Sequence, residues 1–147
     1  MVSVPAQKRK LSNTQFLWEL HQFNIRLGEI CMNAPKKYRM NYTDFIIKSG
    51  LEALKYAQMA NGIYLSKNIT EEAFNERELL LEKAKGIAEN IATTADIFLE
   101  HMRKIDGVNV EKILKQEQYI GETTGKIVSL IDGVMKSDKK RYKEYMK

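Results

Sequence analysis

The residues of this chain with the clearest chemical potential are cations that cluster around an aromatic ring. Lys36, Lys37 and Arg39 surround Tyr38 in the segment NAPKKYRMNYTD, and no acid occurs there before Asp44. Lysine and arginine bind phosphates by charge, arginine also by a bidentate fork, and an adjacent tyrosine can stack on an unpaired base. The segment therefore predicts a contact site for RNA or DNA.

A second cluster of similar composition lies near the carboxyl end. Lys139, Lys140 and Arg141 are followed by further lysines and by two tyrosines. Each cluster also has a simpler interpretation, in which Tyr38 closes the end of a helical bundle above solvated lysines and the last residues form a frayed, solubilising end. We predict nucleic-acid contacts at Lys36, Lys37, Tyr38, Arg39, Lys139, Lys140 and Arg141.

The positive charge is concentrated in three segments. Residues 1–18 carry +3, residues 33–42 carry +3 and residues 136–147 carry +4. Since the net charge of the whole chain is +5, the remaining residues carry −5. Local clusters of cations on an otherwise acidic chain favour the binding of a polyanion, with weak sequence specificity because phosphates carry no sequence information.

The sequence contains no recognisable catalytic or metal-binding motif. Neither His21 nor His101 has a glutamate three residues before it, as the di-metal sites of helical bundles require. The two histidines and one cysteine do not have the spacing of zinc ligands. There is also no glycine-rich phosphate loop and no Gly-x-Ser-x-Gly sequence. We predict no catalytic residue, no metal and no cofactor.

Composition predicts one cytoplasmic, soluble domain. The 147 residues are 44% apolar and 29% charged, which is ordinary for a globular protein. No apolar run approaches the roughly 18 residues of a membrane span, and the start MVSVPAQKRK lacks the apolar core of a signal peptide. Cys31 cannot form an internal disulfide and lies on an apolar helix stripe, so we expect a buried thiol in a reducing compartment.

Apolar periodicity predicts four long helices. The first runs from about Ser12, which forms a capping box with Gln15, to about Asn33, and Pro35 ends it. Its apolar residues alternate at spacings of four and three, as in a helix packed along its neighbours. These residues are Phe16, Leu20, Phe23, Leu27, Ile30 and Ala34.

The second predicted helix, from Asn41 or Thr43 to about Leu65, has two apolar faces. One carries the large residues Phe45, Ile47, Leu51 and Leu54. The adjacent stripe is mostly small and consists of Ile46, Gly50, Ala53, Ala57, Ala60 and Tyr64. Small residues let another backbone approach closely, either within the chain or from another subunit, and the pattern leaves both possibilities open.

The third and fourth helices follow short turns. The third extends from Thr70 to Ile105, about 54 Å at 1.5 Å per residue, and only Arg77 breaks its apolar repeat. Thr70 or Asn68 can cap its start. A tight turn at residues 106–109, in which Gly107 suits a left-handed cap and Asn109 the next N-cap, then leads into the fourth helix, which ends near Ser137. The apolar residues of this helix are Ile113, Ile120, Ile127, Ile131 and Val134, with Glu117 and Thr124 interrupting them.

Four amphipathic helices joined by short turns predict an all-α, up-down-up-down antiparallel four-helix bundle. The whole chain, residues 1–147, forms this single domain, with a basic N-terminal arm at 1–11 and a basic C-terminal tail at 136–147. In this topology the turns at 33–42 and 106–109 share one end of the bundle. We therefore expect the first cationic cluster to lie near His101.

The sequence also resembles a family of small four-helix-bundle proteins. The residues that carry the resemblance are APKKYRMNYTDFI, ALKYAQMANGIYL and LLEKAKGIAENIATTADIFLEHM, within a match that spans about residues 12–135. The family comprises the accessory variability determinants of diversity-generating retroelements, found in bacteria and phages. It also includes proteins encoded in intervening sequences of bacterial 23S ribosomal RNA genes.

This resemblance implies a non-enzymatic accessory protein. Members related to the retroelement proteins form pentamers with a basic surface, bind nucleic acid and bind a reverse transcriptase that copies template RNA into cDNA. By resemblance, Lys36, Lys37 and Arg39 belong to such a surface, and the chain is a homo-oligomer. The alternative is a helical protein-interaction or scaffold module without nucleic-acid binding, in which the small stripe of the second helix docks a partner helix.

Overall fold

Residues 4–147 form four α-helices in a computed structural model, which describes their backbone and the side chains of residues 14–147. Each helix packs against the next, and the fourth also packs on the first. The predicted all-α, up-down-up-down four-helix bundle is confirmed. The helices are α1 (Val4–Met32), α2 (Asp44–Asn61), α3 (Glu71–Arg103) and α4 (Val110–Tyr145).

Ion pairs between α3 and α4 show their antiparallel course. Arg77, near the start of α3, pairs with Asp138 near the end of α4, whereas Arg103, at the end of α3, pairs with Glu117 near the start of α4. The residue numbers therefore rise along one helix as they fall along the other. A 33-residue α3 is about 50 Å long, so the two ends of the bundle are separated by about that distance.

The predicted apolar seams of α1, α3 and α4 form the core. Burying each of their larger side chains stabilises the fold by about 1.5–3 kcal/mol. Cys31 is buried too, and burial raises the pKa of its thiol to about 11, so it stays a neutral thiol. Buried core residues include Phe16, Leu20, Phe23 and Leu27 of α1, Leu81, Ala88, Ile91 and Phe98 of α3, and Ile120, Ile127 and Ile131 of α4.

The small stripe of α2 faces the interior of its own bundle. Gly50 is buried, its carbonyl accepts a 2.9 Å hydrogen bond from the Asn24 amide of α1, and a Cβ at this position would collide with the Asn24 side chain. The larger residues Phe45, Ile47 and Leu51 are 38–57% exposed. Residues Ile46 to Ala60 of the stripe are therefore covered by their own bundle, which leaves them no surface for a partner helix. The last member of the stripe, Tyr64, is 87% exposed, because α2 ends at Asn61 and not near Leu65 as predicted.

The start of α1 differs from the prediction. The helix begins at Val4 and continues through Ser12, so Ser12 is not its N-cap. Pro5 is tolerated in a first turn, and residues 6–15 contain neither glycine nor proline, so nothing in the backbone stops the helix at Ser12. The cations of the basic arm predicted at residues 1–11 lie outside the described side chains.

The two predicted turns that start α3 and α4 are confirmed. The Thr70 hydroxyl accepts a 3.0 Å hydrogen bond from the Ala73 amide, and the Asn109 side chain accepts one of 3.1 Å from the Lys112 amide. Gly107 has φ +83°, the left-handed conformation that glycine adopts most easily. Local capping chemistry thus decides where these two helices begin.

The end of α4 also differs from the prediction. The helix does not stop near Ser137 but continues to Tyr145. Asp138 is buried against Arg77, and the Tyr142 ring stacks on Phe74 with centroids 4.1 Å apart. These contacts with α3 hold the last turns in helical form, so most of the predicted tail is part of the bundle.

Candidate nucleic-acid interface

The loop that carries the first cationic cluster is folded into two short helical turns. A 3-10 turn spans Lys36–Tyr38, and a π-helical turn spans Arg39–Thr43. Pro35 precedes them in an extended conformation, with φ −58° and ψ 147°, and so separates them from α1. Thr43 is buried, and its hydroxyl donates a 3.3 Å hydrogen bond to the Arg39 carbonyl. The cations are therefore held on an ordered backbone.

Lys36, Lys37 and Arg39, which we name the basic turn, are all exposed. No carboxylate among residues 14–147 forms an ion pair with any of them. The carboxyl end of α1 just before them supplies partial negative charge, which helps to hold cations there. Three full positive charges thus remain available to a ligand within four consecutive residues.

Tyr38 is engaged by the protein itself. Its ring is half-buried, packs edge-on against Phe98 with centroids 5.9 Å apart, and lies 6.0 Å from the Tyr42 ring. The Lys37 ammonium lies 5.2 Å from the Tyr38 centroid, within cation–π range. This geometry favours the interpretation of Tyr38 as the lid of the bundle over that of a free platform for a base.

The expected proximity of this loop to the end of α3 is confirmed. His101 is exposed, stacks on Tyr38 with ring centroids 6.4 Å apart, and lies 5.7 Å from Tyr42. The sequence predicted this proximity but not the contacts of the His101 ring with the two tyrosines, because a single histidine near a helix end has no distinctive pattern. The ring cluster anchors the basic turn to α3.

The second cationic cluster is not assembled as the sequence suggested. The Lys139 ammonium lies 3.8 Å from a carboxylate oxygen of Glu78. The Arg141 guanidinium donates a 3.3 Å hydrogen bond to the Leu65 carbonyl and a 3.4 Å hydrogen bond to the Tyr145 hydroxyl. Lys140 is exposed and has no partner among the described side chains. Two of the three predicted residues therefore have structural partners, and this cluster lies at the opposite end from the basic turn.

A buried ion pair, which the sequence did not predict, ties three elements together at that opposite end. The Arg77 guanidinium donates to both carboxylate oxygens of Asp138, at 2.6 and 3.3 Å, and both side chains are at most 8% exposed. Its other terminal nitrogen donates to the carbonyls of Ala60 and Ile63, at 3.0 and 2.9 Å. Arg77 therefore caps the carboxyl end of α2 while pairing with α4.

Glu78 lies beside this ion pair. Its side chain is 13% exposed, and neither carboxylate oxygen has a hydrogen-bond partner among the described residues. Burial raises the pKa of Glu78, while the Lys139 charge acts in the opposite direction. The ionised form is therefore less favourable in the folded chain than in the unfolded one, and the stabilisation present below the unfolded pKa is lost as pH rises through the folded pKa.

We expect Glu78→Gln to stabilise the protein more at pH 7 than at pH 4, because the amide mimics the protonated acid at both values. The measurement is the difference in Tm between variant and wild type by circular dichroism at each pH. Glu76→Gln, which removes the same charge at an exposed position of α3, is the matched control. Equal pH dependence in the two variants would contradict the burial of a charged Glu78.

A second perturbed acid lies between α3 and α4. Burial raises the pKa of Glu117, with a further contribution from a hydrogen bond with Asp96, and the nearby Arg103 opposes the rise. The Arg103 Nε–Glu117 Oε1 distance is 2.8 Å, but the N–H is not aligned with the oxygen, so charge rather than a well-formed hydrogen bond joins them. The pair joins the end of α3 to the start of α4.

The described residues offer no alternative site of a recognised kind. Among residues 14–147, no group of three histidine, cysteine, aspartate or glutamate side chains is placed to hold a metal ion. None of the helices within residues 4–147 combines the length and apolar character needed to cross a membrane. Comparison with protein-family models, curated proteins and solved structures finds no significant match to this chain. The candidate site rests on the exposed cations of the basic turn themselves.

Proposed function

We propose that this protein is a non-enzymatic, nucleic-acid-binding helical bundle of the cytoplasm that contacts phosphates through the basic turn. The observation that carries this proposal is the exposure of Lys36, Lys37 and Arg39 without a carboxylate partner among the described residues. Charges already paired inside a protein bind external phosphates poorly, whereas these three are available. Lys140 is a weaker candidate, and Lys139 and Arg141 weaker still.

The biological setting that we propose follows the resemblance of the sequence. The protein acts as an accessory to a retroelement-type reverse transcriptase and holds RNA or DNA with weak sequence specificity. Contacts of lysine and arginine with phosphates position a strand without reading its bases, which suits a protein that assists the copying of variable sequence.

A salt titration tests the electrostatic part of this proposal. Three phosphate contacts to a single strand predict a slope of about −2 in a plot of log affinity against log salt, which is about a 20-fold loss between about 50 and 200 mM. The measurement is fluorescence anisotropy with a labelled oligonucleotide. A slope near zero, with binding retained, would show that phosphate contacts do not carry the interaction.

A second candidate function, association with another protein chain, rests on an exposed apolar line along α1. Trp18, Ile25 and Met32 are spaced seven residues apart, which places them on the same side of the helix, and they are 58%, 51% and 80% exposed. Ile47 and Leu51 of the neighbouring α2 are exposed as well. Large exposed apolar patches mark interaction surfaces. We propose self-association through this line, with a pentamer expected from the resemblance.

A further inference from the structure

A cavity of about 240 Å³ opens at the same end of the bundle as the basic turn. It lies between the carboxyl ends of α1 and α3 and the start of α4, and Ile30, Met102 and Val108 form apolar walls. Phe98, the ring against which Tyr38 packs, also lines it. The cavity and the Tyr38 ring therefore contact the same side chain, that of Phe98.

The rim of this cavity is polar. Asn33, Lys112 and Gln116 line it, and Asn33 and Lys112 are exposed. The side-chain amides of Asn33 and Gln116 form no hydrogen bond with any of the side chains or backbone groups that the structure describes. Two amides that can both donate and accept, together with one ammonium, thus surround an apolar interior.

We infer that this cavity receives one unpaired base of a nucleic-acid strand whose phosphates contact the basic turn, an inference that rests on the proposed function. Asn33 precedes Lys36 by three residues, which separates their Cα atoms by at most about 11 Å. A nucleotide bound at the rim therefore lies within reach of the lysines of the basic turn.

The chemistry of the cavity suits a base better than an apolar ligand. The flat faces of a base pack against apolar side chains, while its edge forms hydrogen bonds with amides such as those of Asn33 and Gln116. Lys112 can contact the adjoining phosphate. Because the Tyr38 ring already packs on Phe98 and His101, the cavity takes the base-binding role that the sequence assigned to Tyr38.

A cavity that receives one base should make the protein bind single strands more tightly than duplexes. A base inside a duplex is stacked and cannot enter a cavity unless it is turned out of the helix, which requires breaking its pairing and stacking. The phosphates of a duplex still reach the basic turn. We therefore expect duplexes to bind by charge alone and single strands to bind by charge and by base insertion.

The test compares two single-stranded probes with equal numbers of phosphates. One is a twelve-nucleotide oligothymidylate, and the other is a twelve-unit abasic deoxyribose phosphate chain. We expect the wild-type chain to bind the base-containing probe roughly tenfold more tightly, since insertion or stacking of one base contributes that order of affinity. In Val108→Trp, whose indole fills the cavity, we expect equal binding of both probes, at the level of the wild type with the abasic probe.

Val110→Trp is the matched control, because Val110 is 45% exposed in the same region and does not line the cavity. This variant should keep the preference. If Val108→Trp does not fold by circular dichroism, Gln116→Ala serves instead, with a smaller but definite loss of preference. Equal binding of both probes by the wild type, or a preserved preference in Val108→Trp, overturns the inference that the cavity receives a base. The proposal of phosphate contacts at the basic turn is unaffected by either result. Absence of binding to either probe overturns the proposed function as well.

Discussion

Replacing Lys36, Lys37 and Arg39 together by glutamate is expected to lower affinity for a single-stranded oligonucleotide by at least about 100-fold at about 100 mM salt. Three phosphate contacts disappear, and three carboxylates then repel the strand at the same place. The basic turn is exposed and makes no ion pair within residues 14–147, so we expect the helical content to stay unchanged. Fluorescence anisotropy measures the affinity.

The control changes the same amount of charge at the other end of the bundle. Lys67, Lys136 and Lys143 are exposed and have no partner among the described side chains. Their replacement by glutamate should lower affinity by less than about fivefold, because the roughly 50 Å length of the bundle exceeds the Debye length of about 10 Å several times. Similar losses in the two triple variants would mean that net charge, and not the basic turn, holds the strand.

The same triple variant separates the two proposed functions. Self-association through the apolar line of α1 does not involve the basic turn, so the mass in solution, measured by light scattering, should equal that of the wild type. Loss of nucleic-acid binding with an unchanged mass supports two independent surfaces. A change of mass would mean that oligomer formation itself depends on the basic turn.

Arg77→Met is expected to cause the largest loss of stability of any single substitution considered for this chain. It leaves the Asp138 carboxylate buried without a counter-charge and removes the donors to the carbonyls of Ala60 and Ile63. Removing one partner of a buried ion pair costs about 3–5 kcal/mol, which corresponds to a fall in Tm of about 10 °C or more for a chain of this size. Thermal unfolding followed by circular dichroism at pH 7 measures it.

Two further variants make this test specific. Lys85→Met breaks the 2.9 Å ion pair with Asp132, which joins the same two helices but is far more exposed than the Arg77 pair, at 25% and 52%, and should change Tm much less. Arg77→Met combined with Asp138→Leu should recover most of the lost stability, since apolar replacement of a whole buried pair is often nearly neutral. If Arg77→Met loses no more stability than Lys85→Met, the ion pair of Arg77 with Asp138 does not hold α2, α3 and α4 together as proposed.

The sequence predicted the bundle because local and periodic signals agree over most of the chain. Thr70, Gly107 and Asn109 act within a few residues of themselves, so their roles in capping could be predicted without tertiary information. Periodicity also located the seams of α1, α3 and α4. It could not decide which of the two apolar faces of α2 is buried, because that depends on how closely α1 approaches Gly50.

The errors at the carboxyl end have a different cause. A run of lysine and arginine resembles a solvated tail, and nothing nearby in the sequence identifies the partners of Asp138 and Tyr142, which lie 61 and 68 residues earlier at Arg77 and Phe74. One signal was present, since Arg77 interrupts an otherwise apolar repeat and a cation at a core position requires a buried acid. The sequence also does not show which cations have partners inside the protein. The presence or absence of such partners is what makes the basic turn a stronger candidate site than the cluster at residues 139–141.

The exposed line on α1 gives the protein an optical reporter of its own. Trp18 is the single tryptophan of the chain, and its indole is more than half exposed at that line, many residues from the basic turn. Covering the indole by another chain removes water from it and moves its emission to shorter wavelengths. Occupation of the basic turn leaves its surroundings as they are. Intrinsic fluorescence therefore distinguishes the covering of one surface from the occupation of the other without a label.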